Sequence, residues 1–307
     1  LLRMKPARWT LVFAYFFGAG IVLVPVGLRN LYVQGEFSMT TFQAGPNFYI
    51  GNNRQADGRY QPLVRGHETP VFEQRDATEL AELATGRELT PREVSRFWMG
   101  RAWNDIAVDP IGRLKLTGYK LLLVWNQYEI ADAESIAIYR RHSHALSVLC
   151  TMWQFGGLAP MALLGIAFTW NDRRRLWVFY ALIATMTLAV AAFYVLARYR
   201  YPLVPLLIPF AAAGCVGLWR RREQLQTLIR PLILAILTAM LVNWPIQNEK
   251  RLDALADMNA GVALAQTGEI EQAAEYFALA VAGNPTSAEA NYNLALALAV
   301  QGKYSEA

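Results

Sequence analysis

Charged residues are scarce in this 307-residue chain, and five long stretches contain no Asp, Glu, Lys or Arg. These stretches are Trp9–Leu28, Ala145–Trp170, Leu176–Ala197, Tyr201–Trp219 and Pro231–Ile246. A helix of about 20 apolar residues crosses a hydrocarbon core of about 30 Å. Hydrophobic residues make up 54% of the chain, whereas about 45–50% is usual in soluble domains. The sequence therefore predicts a mainly α-helical, polytopic membrane protein of about five spans. The last span is marginal because Asn243 and Pro245 interrupt it.

Cysteine and histidine are also rare. Both cysteines, Cys150 and Cys215, lie inside predicted spans, where they are expected to be small packing residues and not a disulfide or a metal pair. The histidines are His67, His142 and His144, and the sequence indicates no partner for any of them. Because no His/Cys cluster has metal-ligand spacing, the sequence does not indicate a divalent metal and identifies no cofactor.

Basic residues predict the orientation of the spans. They precede the first span, join the second to the third at Arg173–Arg175, and join the fourth to the fifth at Arg220–Arg222 and Arg230. If these places are cytoplasmic, the positive-inside rule holds for every span. Residues 29–143, the short turn after Ala197 and the chain after 247 then lie outside. The net charge of +5 comes mostly from these cytoplasmic basic residues and from a basic outer loop. It therefore gives no reason to expect a nucleic-acid partner.

The C-terminal part of the sequence contains an internal repeat. Gly302 follows Gly268 by thirty-four residues, and the pairs Leu264/Leu298 and Ala273/Ala307 show the same spacing. This period and residue order resemble the tetratricopeptide repeat, a helix–turn–helix unit of an α-solenoid. Gly268 is predicted to end the first helix and Pro285 to follow the second. The alternative is two unrelated amphipathic helices. Because repeats are stable only in series, we expect the natural protein to continue past residue 307.

The outer segment 29–143 is predicted to be a folded, mixed loop domain. A short aromatic and β-branched run between turn residues occupies 45–53. Asp76 with Glu79, and Thr90 with Glu93, fit capping boxes at helix starts, and Asp109-Pro110 opens a helix that ends at Trp125. The predicted organisation is a first transmembrane helix with its basic lead (1–28), the loop domain (29–143), four transmembrane helices (144–246) and truncated tetratricopeptide repeats (247–307).

Three motifs occur in a characteristic order. They are Gly45-Pro46-Asn47-Phe48-Tyr49-Ile50-Gly51-Asn52-Asn53, Trp125-Asn126-Gln127-Tyr128-Glu129-Ile130 and Arg198-Tyr199-Arg200-Tyr201-Pro202. Together they resemble the C-terminal half of bacterial membrane glycosyltransferases of the GT-C fold, relatives of protein O-mannosyltransferases and of the aminoarabinose transferase for lipid A. The resemblance covers residues 1–246.

The resemblance implies a function and a place. Such enzymes lie in the bacterial cytoplasmic membrane and pass a sugar from a polyprenyl-phosphate donor to a protein or glycan acceptor on the outer face. Some also carry tetratricopeptide repeats, which bind a protein partner. The catalytic aspartate of the family lies in a first outer loop that has no counterpart here. The catalytic residue is therefore expected upstream of this chain, and this chain alone is expected to be inactive.

Arg198 and Arg200 are the predicted donor phosphate-binding residues. They lie in a short turn between two spans, on the side where the positive-inside rule gives no reason for arginine. A guanidinium matches phosphate oxygens with paired donors, and its contacts strengthen as negative charge develops on a leaving phosphate. The alternative is that both side chains extend to lipid headgroups, with Tyr199 and Tyr201 as interface anchors.

Weaker candidates for sugar or acceptor contact are Glu129, Tyr128, Asn52 and Asn53. Glu129 has an alternative interpretation as the partner of Arg140 or Arg141, and Gly51-Asn52-Asn53 as a simple turn. Trp98 and Trp103 are expected to be packing residues and not a sugar platform.

Two other functions stay open from sequence. The first is a non-catalytic, membrane-anchored tetratricopeptide scaffold, which would have no need of Arg198 and Arg200 in an outer turn. The second is an oligosaccharide ligase or polymerase, which would call for a His/Arg constellation that the outer loop lacks.

The predicted topology can be tested with Arg198→Cys in a background where Cys150 and Cys215 are alanine. We expect a membrane-impermeant maleimide to label this thiol on intact cells, because the turn is predicted to face outside. Arg174→Cys, as the control, should be labelled only after permeabilisation. Labelling of Arg198→Cys from the cytoplasmic side alone would contradict the orientation.

Overall fold

The computed structural model describes residues 8–64, 67, 70–132, 135–223 and 225–303. In these ranges the protein is mainly helical and has no β-strand. The mixed character expected of the loop domain is not confirmed, because the described residues of 29–143 form helices joined by irregular segments, with no strand among them. The chain forms two compact units, residues 1–56 with 61–113 and residues 57–60 with 114–307.

The described part of the first unit contains four complete helices and the first turn of a fifth. Their bounds are α1 (Arg8–Gln34), α2 (Ala44–Asn52), α3 (Pro70–Thr85) and α4 (Pro91–Val108). Packing of Ala77 and Ala81 of α3 against Val94 and Trp98 of α4 forms its small core.

Residues 45–53 form α2 and not the extended run that their aromatic and β-branched content suggested. Such short runs fit either structure, and here tertiary packing decides. A Cβ atom at Gly45 would lie 1.9 Å from the Ser95 carbonyl oxygen, so only glycine lets α2 approach α4 this closely. The Gly45 N–H also donates to Ser95 Oγ at 3.1 Å.

The two predicted capping boxes have different outcomes. Thr90 caps α4 together with Glu93, with Pro91 at the start of the helix, so this prediction is confirmed. Asp76 instead lies in the middle of α3, and its carboxylate contacts His67 Nδ1 at 2.6 Å. That helix start was wrong because Pro70 begins the helix earlier, and Asp76 is buried.

The two tryptophans of α4 also differ. Trp98 is a packing residue as predicted: it is 3% exposed, and its Nε1–H donates to the Ala77 carbonyl at 2.8 Å. Trp103 is 57% exposed and makes a tilted ring contact with Phe48. It covers Phe48 at the surface and is not part of the core.

The second unit begins along α5 (Pro110–Trp125), whose predicted bounds are confirmed. The helices that follow are α6 (Ile136–His142), α7 (His144–Met152), α8 (Phe155–Phe168), α9 (Arg173–Ala192), α10 (Ala197–Arg200), α11 (Leu203–Arg221), α12 (Leu225–Val242), α13 (Glu249–Thr267), α14 (Ile270–Gly283) and α15 (Ala288–Val300).

Four helical segments of the described chain are long and apolar enough to cross a membrane. They are Trp9–Val33, His144–Phe168, Trp170–Ala192 and Leu203–Arg221. The fifth predicted span corresponds to α12, which is apolar but short. Arg230 lies inside α12 and the helix ends at Val242, so its uncharged part is only Pro231–Val242. Among the described residues, four of the five predicted spans therefore meet this length, and the fifth stays the marginal one that the sequence predicted.

Close packing of α8 against α11 forms the centre of the apolar part of the second unit. A Cβ atom at Gly165 would lie 1.7 Å from the Phe210 carbonyl oxygen, and one at Gly214 would lie 2.4 Å from that of Met161. Small residues let apolar helices approach until their backbones touch, which is how helices associate in lipid.

Helices α13 and α14 form an antiparallel pair, and α15 packs on α14. Gly268 ends α13 with a φ of 88°, and Pro285 follows the end of α14, so both predicted helix ends are confirmed. Phe277 and Ala273 of α14 are buried together with Ala297 of α15. Membership of the tetratricopeptide family stays a prediction.

The α8–α11 contact leads to a stability prediction. Gly165→Ala should lower the melting temperature of the detergent-solubilised protein, because its methyl group has no room and overpacking costs about 1–3 kcal/mol. Gly157→Ala is the control on the same helix: nothing lies within 4 Å of its added Cβ. Equal melting temperatures for both variants would contradict the close approach of α8 and α11.

Candidate functional site

Two of the three sequence motifs meet in the second unit. The segment after α5, which contains Gln127 and Glu129, lies against α10. Two backbone hydrogen bonds hold this arrangement: Ala197 N–H donates to the Ile130 carbonyl at 2.9 Å, and Val195 N–H to the Gly58 carbonyl at 2.8 Å. The site therefore combines three distant stretches of the chain.

Arg200 lies at the centre of the site and is only 3% exposed. Its guanidinium donates to the Asn126 carbonyl, to the Val124 carbonyl at 3.4 Å and to the Gln127 carbonyl at 3.3 Å. It also lies 4.5 Å from the centre of the Phe155 ring. Burial lowers the pKa of Arg200 to about 10, only partly offset by nearby Glu129, so the group stays charged at neutral pH.

These contacts assign Arg200 a structural task. The carbonyl groups that follow the end of α5 have left the helix, and the guanidinium supplies donors that they would otherwise lack. A phosphate could reach the same donors only by displacing the carbonyls of Asn126 and Gln127.

Arg198 differs from its neighbour in exposure and in partners. Its side chain is 56% exposed and pairs with the Asp132 carboxylate at 2.5 Å. It also donates to Tyr199 Oη at 3.0 Å and lies over that ring. Arg198 is thus the arginine of this turn that a ligand in solution or at a membrane surface can reach.

Glu129 is half-exposed, and its carboxylate lies 3.7 Å from Arg200. The alternative partners, Arg140 and Arg141, are not the ones it contacts: Arg141 instead pairs with Asp257 at 2.5 Å. At 3.7 Å, the ion pair with Arg200 is too long for a hydrogen bond. The Glu129 carboxylate therefore keeps its capacity to accept hydrogen bonds from a hydroxyl-bearing ligand.

Tyr128 points away from Glu129 and toward α13. Its hydroxyl donates to the Asp253 carboxylate at 3.0 Å. Burial, followed by the charge of Asp253, raises the pKa of Tyr128 well above its usual range. The phenol therefore stays neutral and acts as a donor within the protein, and contact with a sugar or acceptor would require it to leave Asp253.

A second link joins α6 to the C-terminal helices. Asp257 is buried and accepts two hydrogen bonds from Arg141, at 2.5 and 3.1 Å. His142 Nε2 contacts Tyr276 Oη at 2.8 Å, so this histidine has a partner that the sequence did not indicate. These pairs are separated by more than a hundred residues, and no local sequence pattern could have revealed them.

The other two candidates, Asn52 and Asn53, belong to the first unit. The Asn52 side chain donates to the Phe48 carbonyl at 2.9 Å, and that of Asn53 to the Tyr49 carbonyl at 3.1 Å. Asn53 also accepts from Gln55 N–H at 2.8 Å. These contacts end α2 and turn the chain, in agreement with the turn interpretation.

Comparison with known proteins adds no identification: no family model, curated protein or solved structure matches the chain. Among the described residues, no group of three or more His, Cys, Asp or Glu is arranged to hold a metal ion.

The contrast between the two arginines gives a measurable prediction. Arg200→Ala leaves three carbonyl groups of a buried segment without donors, and each unsatisfied group costs about 1–3 kcal/mol. We expect a large fall in the melting temperature of the detergent-solubilised protein. Arg198→Ala, the matched control, removes an exposed pair of about 0–1 kcal/mol and should change it little. If Arg200→Ala melts like the parent, Arg200 does not support this segment.

Proposed function

We propose that this chain is part of a membrane glycosyltransferase that moves a sugar from a polyprenyl-phosphate donor to an acceptor on the outer face of the membrane. The observation that carries the proposal is the meeting of two motifs from distant parts of the sequence. Arg200 fixes the segment after Trp125, and this places the exposed groups of Arg198, Asp132 and Glu129 on neighbouring parts of the second unit.

In this proposal each charged group has a separate task. Arg198 binds the donor phosphate, because its guanidinium is exposed and stands beside the start of the apolar helix α11. Its positive charge stabilises the phosphate as the bond from the sugar C1 to the phosphate oxygen breaks. Glu129 accepts hydrogen bonds from sugar hydroxyls. Arg200 is a positioning residue that holds the segment carrying Glu129.

A group other than these residues removes the proton of the acceptor. The new bond joins the acceptor oxygen to C1, and the acceptor loses a proton. No aspartate of this chain is assigned that task. The tetratricopeptide-like helices α13–α15 are proposed to bind a protein partner or the acceptor.

A second candidate function is a non-catalytic, membrane-anchored scaffold. The observation in its favour is that Asp253 and Asp257 of α13 accept hydrogen bonds from Tyr128 and Arg141, so the C-terminal helices are held against the rest of the second unit. A scaffold of this kind would need the same rigid mounting, but it would have no use for the exposed Arg198.

Transfer of a radiolabelled sugar from polyprenyl phosphate tests the two functions, in membrane vesicles that contain this chain joined to the catalytic outer loop that the proposal requires. We expect Arg198→Ala to raise the KM for the donor and to lower kcat/KM at least ten-fold, because a charge-assisted bond contributes about 1.5–3 kcal/mol. Glu129→Gln should lower kcat/KM through weaker sugar contact.

Arg220→Ala is the matched control, since it removes an exposed arginine at the other end of α11. Its kcat/KM should equal that of the parent. Absence of transfer by the parent protein would favour the scaffold, and unchanged kinetics in Arg198→Ala would remove this residue from the donor site.

A further inference from the structure

Helix α5 has an unusual distribution of charged and apolar side chains in the part that belongs to the second unit, residues 114–125. Lys120 is fully buried, whereas Leu114 and Leu122 are 73% and 52% exposed. Gly118 lies between the two leucines on the same exposed face, because residues four apart in a helix are neighbours. A helix whose outer face contacts water would place the lysine there and the leucines inside. The outer face of α5 therefore fits an apolar surrounding better than water.

The charged residues of α5 all have the same sign. The helix contains Arg113, Lys115 and Lys120 but no Asp or Glu, and Lys115 is exposed next to Leu114. Helices that lie at a membrane–water boundary combine an apolar face with lysine or arginine, since lipid headgroups carry phosphates. The composition of α5 is of this kind.

The second half of α5 runs along one end of the apolar helices. The Asn126 side chain, just after α5, donates to the carbonyls of Val242 and Trp244 at 3.1 and 2.8 Å. About two turns earlier, Tyr119 Oη lies 3.5 Å from the Ile246 carbonyl oxygen. Both contacts reach the end of α12 and the residues that follow it, although they are about 10 Å apart along α5. Helix α5 therefore lies alongside this end and does not project away from it.

Exposed aromatic residues indicate that this end is a membrane boundary. Helix α8 begins beside the end of α12, because Asn243 Nδ2 donates to the Gly156 carbonyl at 3.0 Å. Helix α10 joins the same end through Arg200, which lies over the Phe155 ring. Three exposed aromatic residues stand where α8 and α11 begin and α12 ends: Trp153, Tyr201 and Trp244. Trp and Tyr concentrate where the hydrocarbon core meets the headgroups, so α5 lies at headgroup depth.

We propose that the outer face of α5, formed by Leu114, Lys115, Gly118 and Leu122, is embedded in the headgroup region of a lipid bilayer. The two leucines reach the boundary of the acyl chains, about 5–10 Å deep, and Lys115 pairs with lipid phosphates. A lipid surface is favoured over a protein partner because this face adjoins the aromatic boundary of the apolar helices.

The embedding of α5 also determines the depth of the candidate site. Arg200 donates to the carbonyls of Val124 and Asn126, at the end of the embedded helix. Glu129 follows three residues later and lies 3.7 Å from the same guanidinium. These groups are therefore held at the level of lipid headgroups. This inference goes beyond sugar transfer and does not depend on it, since a scaffold would be embedded in the same way.

The depth of α5 is measured with the whole chain in nanodiscs of phosphatidylcholine and phosphatidylglycerol. Leu122→Cys, in the background where Cys150 and Cys215 are alanine, carries the polarity-sensitive fluorophore NBD. We expect its emission to shift to shorter wavelength than in water. A lipid with a nitroxide near the headgroup end of its acyl chain should quench it about two-fold or more, because the label lies at that depth. Leu114→Cys is a second variant and should give the same result.

Leu296→Cys is the matched control, because Leu296 is also 52% exposed and its helix, α15, packs on α14. Its label should emit as in water, and dissolved iodide should quench it more strongly than the lipid nitroxide does. Melting temperatures equal to that of the cysteine-free parent would show that the labelled variants are folded.

Two results would overturn the inference. Emission as in water from both α5 labels would show that this face contacts solvent. Emission at short wavelength that the lipid nitroxide does not quench would show that protein covers the face, as a second copy or another chain would. Either result would leave the proposed sugar transfer untouched, and loss of sugar transfer would leave the depth of α5 unchanged.

Discussion

A guanidinium that is removed from water must find acceptors for its donors, and Arg200 finds them in the carbonyl groups at and just beyond the end of α5. Those carbonyls need donors because α5 ends at Trp125, and no following helical turn supplies backbone N–H groups to them. The two needs are met together, so the end of α5 and the short helix α10 hold each other in one geometry. Phe155 adds a ring against the same guanidinium, and this brings the start of α8 into the arrangement.

The rest of the site follows from this contact. Asn126, whose carbonyl is held by Arg200, uses its side-chain amide to donate to the Val242 and Trp244 carbonyls at 3.1 and 2.8 Å. It therefore ends α12 as well. Arg200 makes these internal contacts, whereas its neighbour Arg198 is exposed and pairs with Asp132. The same short turn thus separates an arginine that supports the fold from one that is available to a ligand.

Several parts of this arrangement could be predicted from the sequence. The long uncharged stretches predicted four of the apolar helices, and Thr90, Gly268 and Pro285 predicted helix boundaries. These predictions succeeded because apolar runs and helix caps depend on local chemistry. The proximity of Glu129 to Arg200 could not be predicted. It depends on tertiary folding that brings residues near 129 and 200 together, and no periodic pattern in the sequence indicates this contact. The division of roles between Arg198 and Arg200 was missed for the same reason, since burial of one and exposure of the other is a tertiary property.

The errors have a common origin as well. Residues 45–53 and Asp76 were interpreted from short local patterns that did not hold. Close packing of Gly45 on Ser95 accompanies a helix at 44–52, and α3 begins at Pro70, which places Asp76 inside that helix. Short signals compete on nearly equal terms, so a single packing contact decides between them. Long apolar runs are typical of one structure, the membrane-spanning helix, so a single packing contact does not change their interpretation.

The C-terminal helices show why their position matters for either proposed function. Asp257 is buried, and loss of a partner from a buried ion pair costs about 3–5 kcal/mol. Arg141 is that partner, and the neutral phenol of Tyr128 donates a hydrogen bond to the Asp253 carboxylate one turn earlier on α13. A flexible attachment would not require buried charge at its base. Two adjacent turns of α13 are therefore fixed against Tyr128 and Arg141, so in either proposed function a ligand bound by α13–α15 would have a defined position relative to these two residues.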